Sequence, residues 1–96
     1  MTLIELAGEF DLAAEPVFHS GVEAALSEPL LVLDLSHVSF MDSTGLRLLL
    51  ETDARVREND GRCVIVQGNG SVHRLIEQGL LAARLEVVSR LDDVTL

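Results

Sequence analysis

The sequence predicts a small α/β domain, and three observations support this. The chain has 96 residues, of which 48% are hydrophobic, enough for one core and too few for two. Four short apolar runs alternate with segments of helical periodicity, as expected when helices connect the strands of a central sheet. The two middle runs are almost continuous in Val, Leu and Ile, which is typical of strands covered on both faces. We expect a single domain over residues 1–96.

The four apolar runs are the predicted strands. They occupy residues 3–7, 30–35, 63–67 and 85–88. The second and third should form the centre of the sheet because they contain hardly any polar residue. The prediction is therefore a central mixed β-sheet of about four strands with three to four helices.

The first two helices follow from apolar residues at a spacing of about 3.6. In residues 14–27, Pro16 lies in the first turn, where a missing N–H is tolerated. In Ser43–Glu58, the core face is predicted to contain Leu46, Leu49, Leu50 and Ala54. This assignment leaves Leu48 on the polar face, where an apolar side chain is a candidate interface anchor.

A third helix is predicted over Ser71–Gln78, with Val72, Leu75 and Ile76 facing the core. Residues 89–96 begin like a further capped helix, which the end of the sequence cuts short. The last helix is therefore expected to be shortened.

Composition and charge exclude several classes of function. A net charge of −9 disfavours direct binding to nucleic acid, whose affinity depends on Lys and Arg. The sequence has no secretory signal and no apolar run long enough to insert into a membrane, so we expect a cytoplasmic protein. The single cysteine, Cys63, lies within an apolar run and is interpreted as a buried core residue.

We expect neither a metal site nor an enzyme. The histidines His19, His37 and His73 have no partner at a recognised metal-ligand spacing. A hydrolase built on Ser43 would need a Gly-x-Ser-x-Gly elbow, and this motif is absent from the sequence.

The most informative segment joins the second strand to the second helix. It contains Asp34-Leu35-Ser36 and then Met41-Asp42-Ser43-Thr44-Gly45-Leu46. Either Asp42 or Ser43 can serve as the N-cap of the helix. The first turn of a helix carries unpaired N–H groups and a partial positive charge, so a phosphoryl group on a hydroxyl there would be stabilised.

These motifs, together with Gly8-Glu9-Phe10-Asp11 after the first strand, resemble those of STAS domains, and in particular the small bacterial anti-sigma-factor antagonists. The resemblance extends over nearly the whole chain. It implies a STAS fold, no cofactor and a partner-switching function without catalysis. In that family the serine that directly follows the aspartate is phosphorylated, and this position is Ser43 here, with Thr44 as a minor alternative.

The resemblance also implies the partners. The unphosphorylated protein would bind an anti-sigma factor that has serine-kinase activity, the phosphorylated protein would release it, and a metal-dependent serine phosphatase would reverse the modification. Asp11 is expected to lie near the Ser43 turn, and Arg47, one helical turn further, to pair partly with a phosphate. The predicted partner-binding residues are Asp11, Asp42, Ser43, Thr44, Gly45, Arg47 and Leu48.

Two alternatives remain open at this point. A STAS domain can also be a regulatory subunit of a membrane transporter or lipid-transport complex, or a scaffold in a sensory or stress complex.

Family members commonly have a further strand before the one that ends in the glycine-acid motif, so the N-terminal strand is expected to be shortened. The exposed sheet edge that would result favours self-association as a homo-oligomer.

Overall fold

The computed structural model describes residues 1–68, 71–78 and 85–95 of the chain. Its helices are α1 (Glu15–Ala25), α2 (Ser43–Glu58) and α3 (Ser71–Gln78), with single 3₁₀ turns at Leu12–Ala14 and Leu91–Asp93. Its strands are β1 (Thr2–Phe10), β2 (Leu30–Met41), β3 (Arg62–Val66) and β4 (Glu86–Val88). The predicted α/β domain is confirmed.

The sheet has the strand order β1-β2-β3-β4, and each of the three pairs is parallel. The sheet among the described residues is therefore parallel, where we predicted a mixed one. The reason is that each connection between successive strands contains a helix, which returns the chain to the end of the sheet from which the previous strand started.

β1 and β2 both extend well beyond the predicted strands and end together. Their pairing continues to the register pair of Phe10 and Met41, through two register shifts near Ala7 and Gly8. Gly8 has a φ of +76°, a conformation that glycine adopts without strain. The last residues of β2 are partly polar, so their hydrophobicity did not mark them as a strand.

The main core lies between the helices and one face of the sheet. Alternate residues of the central strands, such as Leu31, Leu33 and Ile65, point to this face. The rings of Phe10 and Phe18 meet there edge to face, with centroids 5.0 Å apart. In α3, Val72 and Ile76 are buried and Leu75 packs against the same core, as predicted.

A smaller apolar cluster occupies the opposite face of the sheet. It contains Leu30, Val32, Val64 and Val66, and Val94 packs against it. The segment that supplies Val94 follows a 3₁₀ turn, although we predicted the start of an α-helix there.

The buried face of α2 matches the predicted one only in part. Leu49 is buried and Leu46 and Leu50 pack against the core, as predicted. Leu48 and Leu49 are fully buried, Thr52 and Asp53 lie beside them, and Ala54 is exposed. The prediction that Leu48 lies on the polar face is therefore wrong. The apolar spacing did not indicate the whole buried face, because that face also contains the polar residues Thr52 and Asp53. The Thr52 hydroxyl donates to the Leu48 carbonyl at 2.7 Å, and Asp53 pairs with Arg57 at 3.1 Å.

The core position of Cys63 predicts an unreactive thiol. Burial, and after it the nearby carboxylate of Asp53, raises the pKa of Cys63 to about 12. Thiol reagents attack the thiolate, so near pH 8 the native protein should react roughly a thousandfold more slowly than the unfolded chain. Timed reaction with an aromatic disulfide reagent, with and without guanidinium, measures both rates. Equal rates would contradict the buried placement of Cys63.

Candidate functional site

Two predicted site residues, Asp11 and Asp42, follow the carboxyl ends of β1 and β2 and so lie at the same end of the sheet. Phe10 and Met41 are register partners, and Asp11 and Asp42 are the next residues along the chain. Each aspartate caps the helix or turn that follows it. The Asp11 carboxylate accepts a hydrogen bond from the Ala13 N–H at 3.1 Å. The Asp42 carboxylate accepts from the N–H groups of Thr44 and Gly45 at 3.0 and 3.2 Å.

Asp42 is thus the N-cap of α2, and Ser43 is the first residue of the helix. This resolves the choice that the sequence left open. Ser43 is exposed, and within the described ranges its hydroxyl takes part in no hydrogen bond. The hydroxyl is therefore accessible at a helix N-terminus without being needed to hold the helix in place. Thr44 is half-buried beside it.

Gly45 sets how closely α2 approaches the strand ends. A Cβ atom at this position would lie 2.4 Å from Cγ of Met41 and 2.8 Å from the carbonyl oxygen of Phe10. Gly45 is buried, so it shapes the turn that presents Ser43 and does not itself face a partner. Leu48, which was predicted as a surface anchor, is also excluded from the surface by its burial.

Arg47 lies one helical turn after Ser43 and joins α2 to α1. Its guanidinium donates to Glu51 at 2.9 Å and to Glu15 at 2.8 Å. These two carboxylates, Glu51 first, raise the pKa of Arg47. The i, i+4 spacing predicts the contact with Glu51. The contact with Glu15 joins residues 32 positions apart, so no local pattern indicates it.

Leu12 and Val17 are exposed apolar side chains that the sequence analysis did not single out. Leu12 directly follows Asp11 and is 68% exposed, and Val17 in α1 is 79% exposed. Val17 is one of the apolar residues of α1, but unlike its neighbour Phe18 it does not face the core. Contiguous apolar patches are typical of contact surfaces, whereas single exposed apolar residues are common on any protein surface.

The matching family model decides the classification. The STAS domain model matches residues 1–94. The chain belongs to the STAS domain family. This STAS domain is similar to an anti-sigma factor antagonist from Mycobacterium paratuberculosis, with 29% sequence identity and a TM-score of 0.85. That match covers 95% of this chain and 79% of the other.

Two further solved structures share the fold of this STAS domain. The phosphorylated form of the Bacillus cell fate determinant SpoIIAA has 19% identity and a TM-score of 0.68, over 94% of this chain and 84% of the other. A sulfate transporter family protein from Wolinella succinogenes has 15% identity and a TM-score of 0.73, over 95% of this chain and 78% of the other.

The described part of this STAS domain contains neither a metal-binding cluster nor a membrane-spanning helix. No group of three or more His, Cys, Asp or Glu side chains is placed there to hold a metal ion. None of the helices in the described ranges combines the length and the hydropathy needed to cross a bilayer.

Proposed function

We propose that this STAS domain is an anti-sigma-factor antagonist whose binding to its partner is controlled by phosphorylation of Ser43. The observation that carries the proposal is the exposed Ser43 hydroxyl at the start of α2, with Asp42 already capping the helix. The likeness to the antagonist from Mycobacterium paratuberculosis supports the same class of function.

The partner is an anti-sigma factor that is also an ATP-dependent serine kinase. It binds the unphosphorylated domain and thereby frees its sigma factor. In the modification step, Oγ of Ser43 forms a bond to the γ-phosphorus of ATP, ADP leaves, and the hydroxyl proton passes to a base of the kinase. A metal-dependent phosphatase restores the hydroxyl. The STAS domain is the substrate and ligand in this cycle and catalyses no step of it.

Phosphorylation would act on the surface of the domain without unfolding it. A phosphate adds a charge of about −1.5 to −2 and is favoured at a helix N-terminus. The Asp42 cap is independent of the Ser43 hydroxyl, so α2 keeps its first turn. Arg47 lies one helical turn after Ser43, but it already forms ion pairs with Glu15 and Glu51. These two carboxylates neutralise much of the attraction of Arg47 for the phosphate. The added charge therefore remains available to repel an acidic partner surface, and burying it against an apolar partner surface costs its hydration.

The test is phosphorylation by an extract of the source organism with γ-labelled ATP. Wild type and Thr44→Ala should incorporate label, and Ser43→Ala should not. Circular dichroism should show that all three proteins are folded, because neither substitution removes the Asp42 cap. Label that persists in Ser43→Ala but is lost in Thr44→Ala would make Thr44 the acceptor. Absence of label from every protein, in an extract that phosphorylates other proteins, would contradict the proposal.

A further inference from the structure

The outer edge of β1 is open along a strand of nine residues. Within the described residues, β1 pairs with β2 on one side and with no strand on the other. Every second residue of such a strand directs its N–H and C=O away from the sheet. An extended peptide can pair with these groups and become an additional strand. From Thr2 to Glu5 the register with β2 is unshifted, which leaves this part of the edge regular.

A groove of about 340 Å³ lies beside the same edge, between β1 and α1. Its lining includes Ile4 and Leu6 from β1 and Phe18 from α1. Ile4 and Leu6 are only partly buried, and Val17 at the groove is 79% exposed. Gly21 also lines the groove and contributes no side chain to fill it. A strand added to β1 could therefore place an apolar side chain in this groove.

The charge of the edge indicates which strand would bind. Glu5 and Glu9 are exposed on β1 and belong to the groove lining. No ion pair involves either carboxylate in the part of the chain that the structure describes. Side chains alternate along a strand, so the side chain of Glu5 points to the opposite face of β1 from the groove-facing side chains of Ile4 and Leu6 on either side of it. A matching strand would alternate apolar residues with Lys or Arg.

A second copy of this chain fits the edge poorly. In the antiparallel register centred on Ala7, two β1 strands would place Glu5 of each copy opposite Glu9 of the other. Like charges directly opposite each other destabilise a strand pair. The net charge of −9 on each copy adds to the repulsion.

We propose that the β1 edge and its groove bind an extended segment of another protein in which apolar residues alternate with Lys or Arg. The segment would pair with the backbone of β1, insert an apolar side chain between β1 and α1, and place its cations at Glu5 and Glu9. This site does not involve Ser43, so the proposal stands or falls separately from the phosphorylation switch.

The probe is a fluorescein-labelled peptide as long as β1, with alternating Lys and Val, whose binding is measured by fluorescence anisotropy. A control peptide has the same charge but Pro in place of its two central Val residues, which prevents continuous strand pairing. We expect the Lys-Val peptide to bind about tenfold more tightly than the Pro control. Hydrogen exchange should slow at β1 amides when the Lys-Val peptide is bound.

Charge-reversal variants locate the peptide on the protein. Glu5→Lys combined with Glu9→Lys should weaken binding about tenfold. Glu58→Lys combined with Asp92→Lys makes the same charge change at two exposed residues outside β1 and its groove, and should have little effect. Ser43→Asp should bind the peptide like the wild type. Thermal melts establish that each variant is folded.

Three results would overturn the proposal. Equal affinities for the two peptides, or no detectable binding, would mean that β1 accepts no added strand. Equal weakening by both pairs of lysine substitutions would show that binding depends on the overall charge of the protein and not on Glu5 and Glu9. A wild-type protein that sediments as a dimer with protected β1 amides would show that a second copy occupies the edge.

Discussion

Ser43→Asp is expected to weaken binding to the anti-sigma factor by about tenfold or more, and Ser43→Ala to preserve the affinity within about threefold. Ser43 is exposed at the start of α2, so the new carboxylate would lie in the contact surface without disturbing the core. The new carboxylate would lie next to Asp42 and at the same end of the sheet as Asp11. The three carboxylates together would concentrate negative charge at this end of the sheet. When a partner buries this charge, the carboxylate loses its hydration, and no counter-ion compensates for the loss.

The measurement first requires the partner, which wild-type protein should retain from an extract of the source organism. Calorimetry with the purified partner then gives the affinities of wild type, Ser43→Asp and Ser43→Ala. Ser27→Asp is the matched control, because Ser27 is also exposed but precedes β2 and so lies at the opposite end of the sheet. We expect Ser27→Asp to bind like wild type.

The identity of the retained proteins separates the proposed function from its alternative. An ATP-binding kinase retained by wild type and lost with Ser43→Asp agrees with partner switching. Permease or transporter ATPase components retained equally by both proteins would contradict it and favour a transporter subunit. Equal affinity of the kinase for wild type, Ser43→Asp and Ser43→Ala would also contradict the switch.

The features that could be predicted from sequence are those with local signals. α2 has the predicted bounds because a capping residue precedes it and Asn59, Asp60 and Gly61 follow it. The central strands were recognisable by their continuous hydrophobicity. The exposed Ser43 turn was found because its motif is local, and its resemblance to a family added the expectation that Ser43 is phosphorylated.

The features that escaped prediction depend on contacts between distant segments. β2 continues to Met41 because β1 pairs with it that far, not because its last residues are apolar. The buried face of α2 includes the polar residues Thr52 and Asp53, whose burial depends on where the helix packs against the sheet. The pairing of Glu15 with Arg47 and the exposure of Val17 both depend on where α1 packs.

Gly45→Ala is expected to lower the free energy of unfolding by about 1–3 kcal/mol, the range for forcing an extra methyl group into a packed site. Helix propensity alone favours alanine by up to about 1 kcal/mol, so the steric conflict has to outweigh it. The added Cβ would lie 2.8 Å from the Phe10 carbonyl oxygen and 2.4 Å from Cγ of Met41. The Met41 side chain could be rearranged, but the Phe10 carbonyl belongs to the paired end of β1, so α2 itself has to move.

Gly21→Ala provides the matched control, because it makes the same substitution inside α1, where a Cβ would meet Cδ1 of Ile4 at an ordinary distance of 3.6 Å. There the loss of backbone freedom in the unfolded chain should dominate and raise stability by about 0.4–1 kcal/mol. Thermal melts compare the two variants, since 1 kcal/mol shifts the Tm of a domain this small by about 4–8 °C. A rise in Tm for both variants would show that α2 does not need its close approach to the strand ends. A fall for Gly45→Ala alone, together with weaker partner binding, would mean that this approach sets the position of Ser43 in the contact surface.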